Sequence, residues 1–270
     1  MRIISGARTD VGRVRKNNED NYRTDPELHL YVLSDGMGGE ASGEVASALA
    51  VETVIDHCQK AAQDKELPLV GERKPELSDT ANRLASALRF ANQKIFETAA
   101  SNAQQKGMGA TIVSAWLIDR RLSLAHVGDS RVYLLRAGSF DQLTGDHSLV
   151  ADLVRSGIMT PQQAEVSEQQ SILTRALGTK RNVEVDADEQ VLIEGDTVLL
   201  CSDGLTRMVT DPEIASTLET TPDPQKAADR LVDLANENGG QDNVTVIVVH
   251  LAPEARGLWA RLRRWLNGSS

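Results

Sequence analysis

Aromatic side chains are scarce: three Trp, three Tyr and three Phe make up only 3% of the 270 residues. The 40% hydrophobic fraction still allows a sizeable core, but one built mainly from Val, Leu, Ile and Ala. Cysteine is nearly absent. Cys58 and Cys201 could pair, yet two thiols in a chain of this length read as reduced side chains of a cytosolic protein. No apolar run approaches the ~18 residues of a membrane span. Met1 to Gly6 has neither the apolar stretch nor the cleavage site of a secretion signal, so a cytoplasmic protein is expected. An excess of positive charge is also missing. Lys and Arg number 29 against 39 Asp and Glu, for a net charge of −10. That excludes a nucleic-acid binder, which needs a basic face to neutralise phosphates.

What the chain does have is acid in short, repeated settings. Leu33-Ser34-Asp35-Gly36 and Cys201-Ser202-Asp203-Gly204 are nearly one phrase, each an Asp delivered by an apolar run and followed by Gly. Val127-Gly128-Asp129 is a variant, Asp242-Asn243 precedes a last apolar run, and Glu19-Asp20 follows Arg15 by four residues. A single Asp-Gly is ordinarily a turn. Repetition at strand ends suggests ligand positions fixed on rigid elements. Converging carboxylates repel one another unless a cation intervenes, and hard cations such as Mg²⁺ and Mn²⁺ take oxygen ligands. An arginine beside such a cluster suits bidentate capture of phosphate oxygens. Two metals about 3.5–4 Å apart can acidify a shared water, and the bridging hydroxide then attacks phosphorus in line.

The periodicity predicts strands at residues 2–7, 28–34, 110–118, 121–127, 131–136, 198–201 and 244–251. Helices are predicted from Ser42, read as an N-cap, to about Lys60, and from Ser78-Asp79 to about Ser101, with Leu84, Leu88, Ala91 and Ile95 on one stripe. Shorter helices are expected at 147–156, from Thr160-Pro161, from Asp211-Pro212, and at 224–238. Asp119-Arg120 and Gly128-Asp129-Ser130 read as hairpin connections, which favours antiparallel sheets covered by helices, an α+β fold.

These phrases resemble, in order from about Ile4 to Leu251, the metal-dependent protein phosphatases of type 2C, in their compact bacterial branch. The match includes Arg15…Asn18-Glu19-Asp20, Asp35-Gly36-Met37-Gly38-Gly39, Gly109-Ala110-Thr111, Ala125-His126-Val127-Gly128-Asp129-Ser130-Arg131, Asp146-His147-Ser148, Leu173-Thr174-Arg175, Cys201-Ser202-Asp203-Gly204 and Asp242-Asn243-Val244-Thr245. The resemblance implies a central antiparallel β-sandwich flanked by pairs of helices, in α-β-β-α layers. It implies a catalytic domain over 1–252, with a flap at about 146–190 beside the active site.

It further implies hydrolysis of phosphoserine and phosphothreonine in proteins, reversing a Ser/Thr kinase, by a monomer that uses two Mn²⁺ or Mg²⁺ ions and a third, weaker one. Asp35 would bridge the pair, with the Gly36 carbonyl, Asp203 and Asp242 as further ligands. Glu19 and Asp20 would act through water, Asp129 with Asp203 would hold the third ion, and Arg15 would hold the phosphate. Some relatives carry a proton-donating His where this chain has Met37, and many carry His at Glu40. No general acid is therefore assigned.

Two rival readings are weaker. Cys201 and Arg207 have the spacing of cysteine-dependent phosphatases, but Asp203 between them would repel thiolate and phosphate alike. A binding module without catalysis would be expected to have lost one of the acids. His126 reads as a core histidine and His147 as an organiser of the flap, neither with metal-ligand spacing. Asp186-Ala187-Asp188 lacks the preceding apolar strand of an aspartyl-phosphate enzyme and reads as chance. The tail, 253–270, places Leu258, Leu262, Trp265 and Leu266 on one helical face among Arg256, Arg261, Arg263 and Arg264. It could dock on a partner or an anionic membrane, against the plainer expectation of packing on its own domain or disorder.

Overall fold

Apolar residues in this chain come in strand-length runs buried on both sides, and two stacked sheets are the outcome. A computed structural model describes residues 2–38 and 42–253. The expected amphipathic tail lies outside the described residues, as does Glu40. In chain order the strands are β1 (Arg2–Asp10), β2 (Asp20–Asp25), β3 (Leu30–Met37), β4 (Gly109–Ala110), β5 (Ile112–Ile118) and β6 (Arg121–Val127). They continue with β7 (Arg131–Arg136), β8 (Ser139–Gln142), β9 (Asp186–Val191), β10 (Thr197–Cys201) and β11 (Val244–Ala252). The helices are α1 (Ser42–Gln63), α2 (Asp79–Ser101), α3 (Leu149–Arg155), α4 (Pro161–Glu165), α5 (Asp203–Thr206), α6 (Asp211–Thr220) and α7 (Pro224–Glu237).

One sheet has the order β1-β11-β10-β7-β8 and the other β2-β3-β5-β6-β9, with β4 paired to the end of β3; every pairing is antiparallel. Alternation along the strands splits their side chains between layers. Leu30 and Val32 of β3 face α1 and α2, while Tyr31 and Leu33 join the core between the sheets. In β11, Val244, Val246 and Val248 face α6 and α7, and Ile247, Val249 and Leu251 point to the opposite sheet. The α-β-β-α layering therefore follows from strands apolar on both faces.

The helices form for local reasons. Ser78 caps α2 by accepting the amide of Ala81, and Leu84, Leu88, Ala91 and Ile95 are all buried against α1 and the β2–β9 sheet. Thr160 and Thr210 cap α4 and α6 with capping boxes, with Pro161 and Pro212 in the first turns. Ser42, expected as an N-cap, is instead the first residue of α1, and its hydroxyl donates to the Gln104 carbonyl.

Two expectations change. The three residues Gly128–Ser130 do not close a hairpin: β6 pairs with β5 and β9, β7 with β10 and β8, so the chain crosses here from one sheet to the other. Within the segment expected as a flap, Asp186–Val191 forms the edge strand beside β6. Asp186-Ala187-Asp188 thus has a structural place.

Candidate active site

Both sheets bring acidic residues to the same edge of the sandwich. Asp20 opens β2 directly opposite Asp35 on β3. Asp129 lies in the crossing between β6 and β7, Asp203 begins α5 just beyond β10, and Asp242 precedes β11. With Arg15, Glu19 and Gly36, the acids Asp35, Asp129, Asp203 and Asp242 line a cleft of about 360 Å³, so the structure brings every sequence-predicted residue except Asp20 into its wall. Asp20 stands behind the wall, 4% exposed, and one of its carboxyl oxygens, Oδ2, accepts hydrogen bonds from Ser202 (2.8 Å) and Thr245 (2.7 Å). Ser171 and Leu173 of the flap segment, and Met37, also border the cleft.

In each Ser-Asp-Gly phrase the glycine lets a neighbouring backbone pass close behind the aspartate. A Cβ on Gly36 would lie 2.0 Å from the Gly43 carbonyl oxygen, and one on Gly204 would lie 1.9 Å from that of Asn243. Thr111 donates its amide to the Asp35 carbonyl at 2.8 Å, and its hydroxyl accepts the Asp35 amide at 3.1 Å. Asn243 ties the opposite wall to the N-terminal segment, accepting the amide of Glu19 at 2.8 Å and donating to the carbonyls of Val11 and Asn17.

So many acids in so little space strain their ionisation. Burial pushes the Asp20 carboxyl up to about 7, against the pull of the Thr245 and Ser202 hydroxyls. Burial, then the charges of Asp203 and Asp146, push Asp129 up to about 7 as well. Asp35 is held well above the ordinary carboxylate range by burial and by Asp20, Asp203, Asp129 and Asp242. Asp203 is raised by burial, with Arg207 opposing, and Glu19 is raised first by burial. Oδ1 of Asp20 and Oδ1 of Asp203 are buried without a hydrogen-bond partner. Buried carboxylate oxygens left bare by the protein, in a cluster that resists ionising, fit a site built around divalent cations.

Arg15 does not pair with Glu19 on its own segment. Its Nη2 reaches Asp242 Oδ2 at 2.8 Å, and that bond raises its pKa further. Arg207 also enters the cleft, its guanidinium on Asp203. Sequence reasoning noticed Arg207 only as a partner for Cys201. Cys201 is a fully buried, unpaired thiol packed among residues of α6 and α7, and burial pushes it up to about 12, which removes the thiolate mechanism.

A histidine pair lies behind Asp129. The His126 and His147 rings stack 4.7 Å apart, and donor atoms of His126, His147 and Asp186 lie within 4.8 Å of one another, a spacing that could hold a metal and that the sequence did not reveal. Each is already engaged. His147 Nδ1 accepts the amide of Gly128 at 3.1 Å, its Nε2 lies 3.1 Å from Asp186, His126 Nε2 lies 2.9 Å from the Gly145 carbonyl, and Arg175 clasps Asp186 at 2.9 Å. The group ties the crossing between β6 and β7 to Gly145, Arg175 and the start of β9.

The model of the protein phosphatase 2C family matches residues 13–243. The serine/threonine phosphatase Stp of Listeria monocytogenes is 38% identical over 245 residues, covering 90% of this chain and 93% of that protein. Protein phosphatase PhpP of Streptococcus pneumoniae is 35% identical over 249 residues, covering 91% and 96%. Among solved structures, the Mycobacterium tuberculosis serine/threonine phosphatase PstP/Ppp superimposes with a TM-score of 0.81 at 38% identity, over 93% of this chain and 99% of that one. A PstP catalytic domain in complex with two manganese ions gives 0.78 at 37% identity, over 93% and 99%.

Proposed function

The chain belongs to the protein phosphatase 2C family, and from that premise we propose which of its residues carry out metal-dependent hydrolysis of phosphoserine and phosphothreonine in proteins. Asp35, Asp203 and Asp242 would hold a pair of Mn²⁺ or Mg²⁺ ions together with the Gly36 carbonyl. Glu19 and Asp20 would act through water, and Asp129 with Asp203 would form a weaker third subsite. When bound, the two cations supply positive charge to the phosphate and an acidified water for in-line attack on phosphorus.

The chain's own residues do the rest. Asp20 and Asp35 enter from one sheet and Asp203 and Asp242 from the other, so the donor set is fixed before substrate arrives. Arg15, 55% exposed and hydrogen-bonded only at the cleft rim, can turn its fork to phosphate oxygens without leaving the site. Met37 has no proton to give, so no side chain at that position protonates the departing alkoxide. Ser171 and Leu173 border the entrance, where they meet the residues flanking a phosphorylated side chain.

The observation that carries this reading is the pair of buried, unpartnered oxygens, Asp20 Oδ1 and Asp203 Oδ1, inside an acid cluster that five separate segments assemble. The protein acts on phosphorylated proteins. We further propose that it reverses a Ser/Thr kinase, works as a monomer with one catalytic domain over 1–252, and resides in the cytoplasm, which two buried unpaired thiols support. No helix among the described residues is long and apolar enough to cross a membrane. The test is release of phosphate from pSer, pThr and pTyr peptides with manganese, with EDTA and after thiol alkylation. Activity on pSer and pThr that EDTA abolishes and alkylation spares is expected. Turnover that survives EDTA would overturn the assignment.

A further inference from the structure

Arg207 stands one helical turn after Asp203, at the C-terminal end of α5. Its Nη2 bonds Oδ2 of Asp203 and lies 3.9 Å from Oδ2 of Asp129, while Nη1 lies 3.8 Å from Oδ2 of Asp242. A single guanidinium thus touches three acids of the cleft. Asp203 is divided by this contact: Oδ2 is held by arginine, and Oδ1 is buried with no protein partner. Among the described residues, Arg207 is also the cation that Asp129 faces in an ion pair. A cation seated between Asp129 and Asp203 would need the oxygens that Arg207 already neutralises, and the two positive charges would repel at contact distance.

We propose that Arg207 is a resident counter-ion that competes with the third, weaker cation for the Asp129–Asp203 subsite. The inference rests on the two-ion reading above and goes beyond it. The core pair draws on Asp35, Asp242 and the free Oδ1 of Asp203, and it fills first. The third cation enters only by displacing the guanidinium. That gives this chain a weak third site by construction, and it leaves the metal-free cluster partly neutralised from within.

The test is manganese binding by the full chain, counted by equilibrium dialysis and by the electron paramagnetic resonance signal of free Mn²⁺. Wild type is compared with Arg207→Gln, which keeps most of the stem and removes the charge, and with Arg207→Lys, which keeps the charge. Circular dichroism verifies that each variant is folded. Two tighter ions are expected in all three proteins, and in Arg207→Gln they should tighten less than the third, because Arg207 stands 3.8 Å from Asp242 and leaves Oδ1 of Asp203 free. The third should bind roughly tenfold or more tightly in Arg207→Gln and near the wild-type value in Arg207→Lys. Melting of the EDTA-treated protein gives a second readout. Arg207→Gln should melt lower than wild type without metal and gain more on adding manganese. Unchanged or weaker third-site binding in Arg207→Gln, with two tight ions intact, overturns the competition alone. Absence of two tight ions from wild type removes the two-ion reading, and the competition falls with it.

Discussion

Asp203 divides its carboxylate, one oxygen meeting Arg207 and the other buried without a partner, and that bare oxygen is the one proposed to meet a metal ion. Asp203→Asn keeps the shape but removes the charge. Its turnover should fall by roughly 10²-fold or more, the scale of losing one strong electrostatic contact in a closed site, and manganese binding should weaken in the same protein. A near-normal rate would sink the ligand role. Arg15→Ala removes a group expected to meet phosphate in ground and transition states alike. KM should rise with kcat largely kept, and steady-state kinetics on a phosphothreonine peptide would read the split. A collapse of kcat alone would assign Arg15 to the transition state only. Asp35, Asp129 and Asp203 were legible in the sequence because each follows an apolar run and is flanked by glycine or serine, while Glu19, Asp20 and Asp242 were legible through the phrases around them. Arg207 was not: its partners Asp129 and Asp242 lie far along the chain, and only the folded cleft brings them together.

Elements with a local signature were read with small errors. Ser78 and the Leu84-Leu88-Ala91-Ile95 stripe placed α2 to the residue, because cap and stripe are both encoded within the helix. Ser78→Ala should lower stability by about 1 kcal/mol in denaturant unfolding, with the slope of the transition unchanged. A loss near zero would mean that the Glu189 carboxylate, which accepts the Ser78 amide at 2.9 Å, holds that end alone. β2 was missed because Asp20-Asn21-Tyr22-Arg23-Thr24-Asp25 has little apolar alternation; it is a strand through its pairing with β3. The Gly128–Ser130 connection misled for a related reason. Three residues suit a hairpin, and nothing in them records that β7 finds its neighbour in β10, about sixty residues later.

At the scale of the molecule, the layered architecture was predictable from strands buried on both faces, while the partition of strands between sheets was not, since it depends on pairings between the two ends of the chain. β1 runs in full register along β11, from Arg2 opposite Ala252 to Asp10 opposite Val244. The N-terminal and C-terminal strands therefore close the same sheet. Stripping divalent ions should lower the melting temperature, and saturating manganese should restore it, by an amount equal to about 2.7 kcal/mol at a hundred times the dissociation constant. Identical melting with and without metal would contradict a cation-binding cluster.

Because Asp20 and Asp35 belong to one layer and Asp203 and Asp242 to the other, an ion held among them would act as a rivet through the sandwich at that edge. The opposite edge, where the β3–β5 and β10–β11 pairings begin, lies away from these acids and is held instead by side-chain packing and by Arg136 of β7, which bonds Asp196 and the Val191 carbonyl of β9. Amide exchange should accordingly slow on metal loading at the riveted rim, around residues 19–20, 35–36 and 242–244. It should stay the same around residues 29–30 and 195–197, so that the enzyme stiffens like a hinged book clasped along its fore-edge.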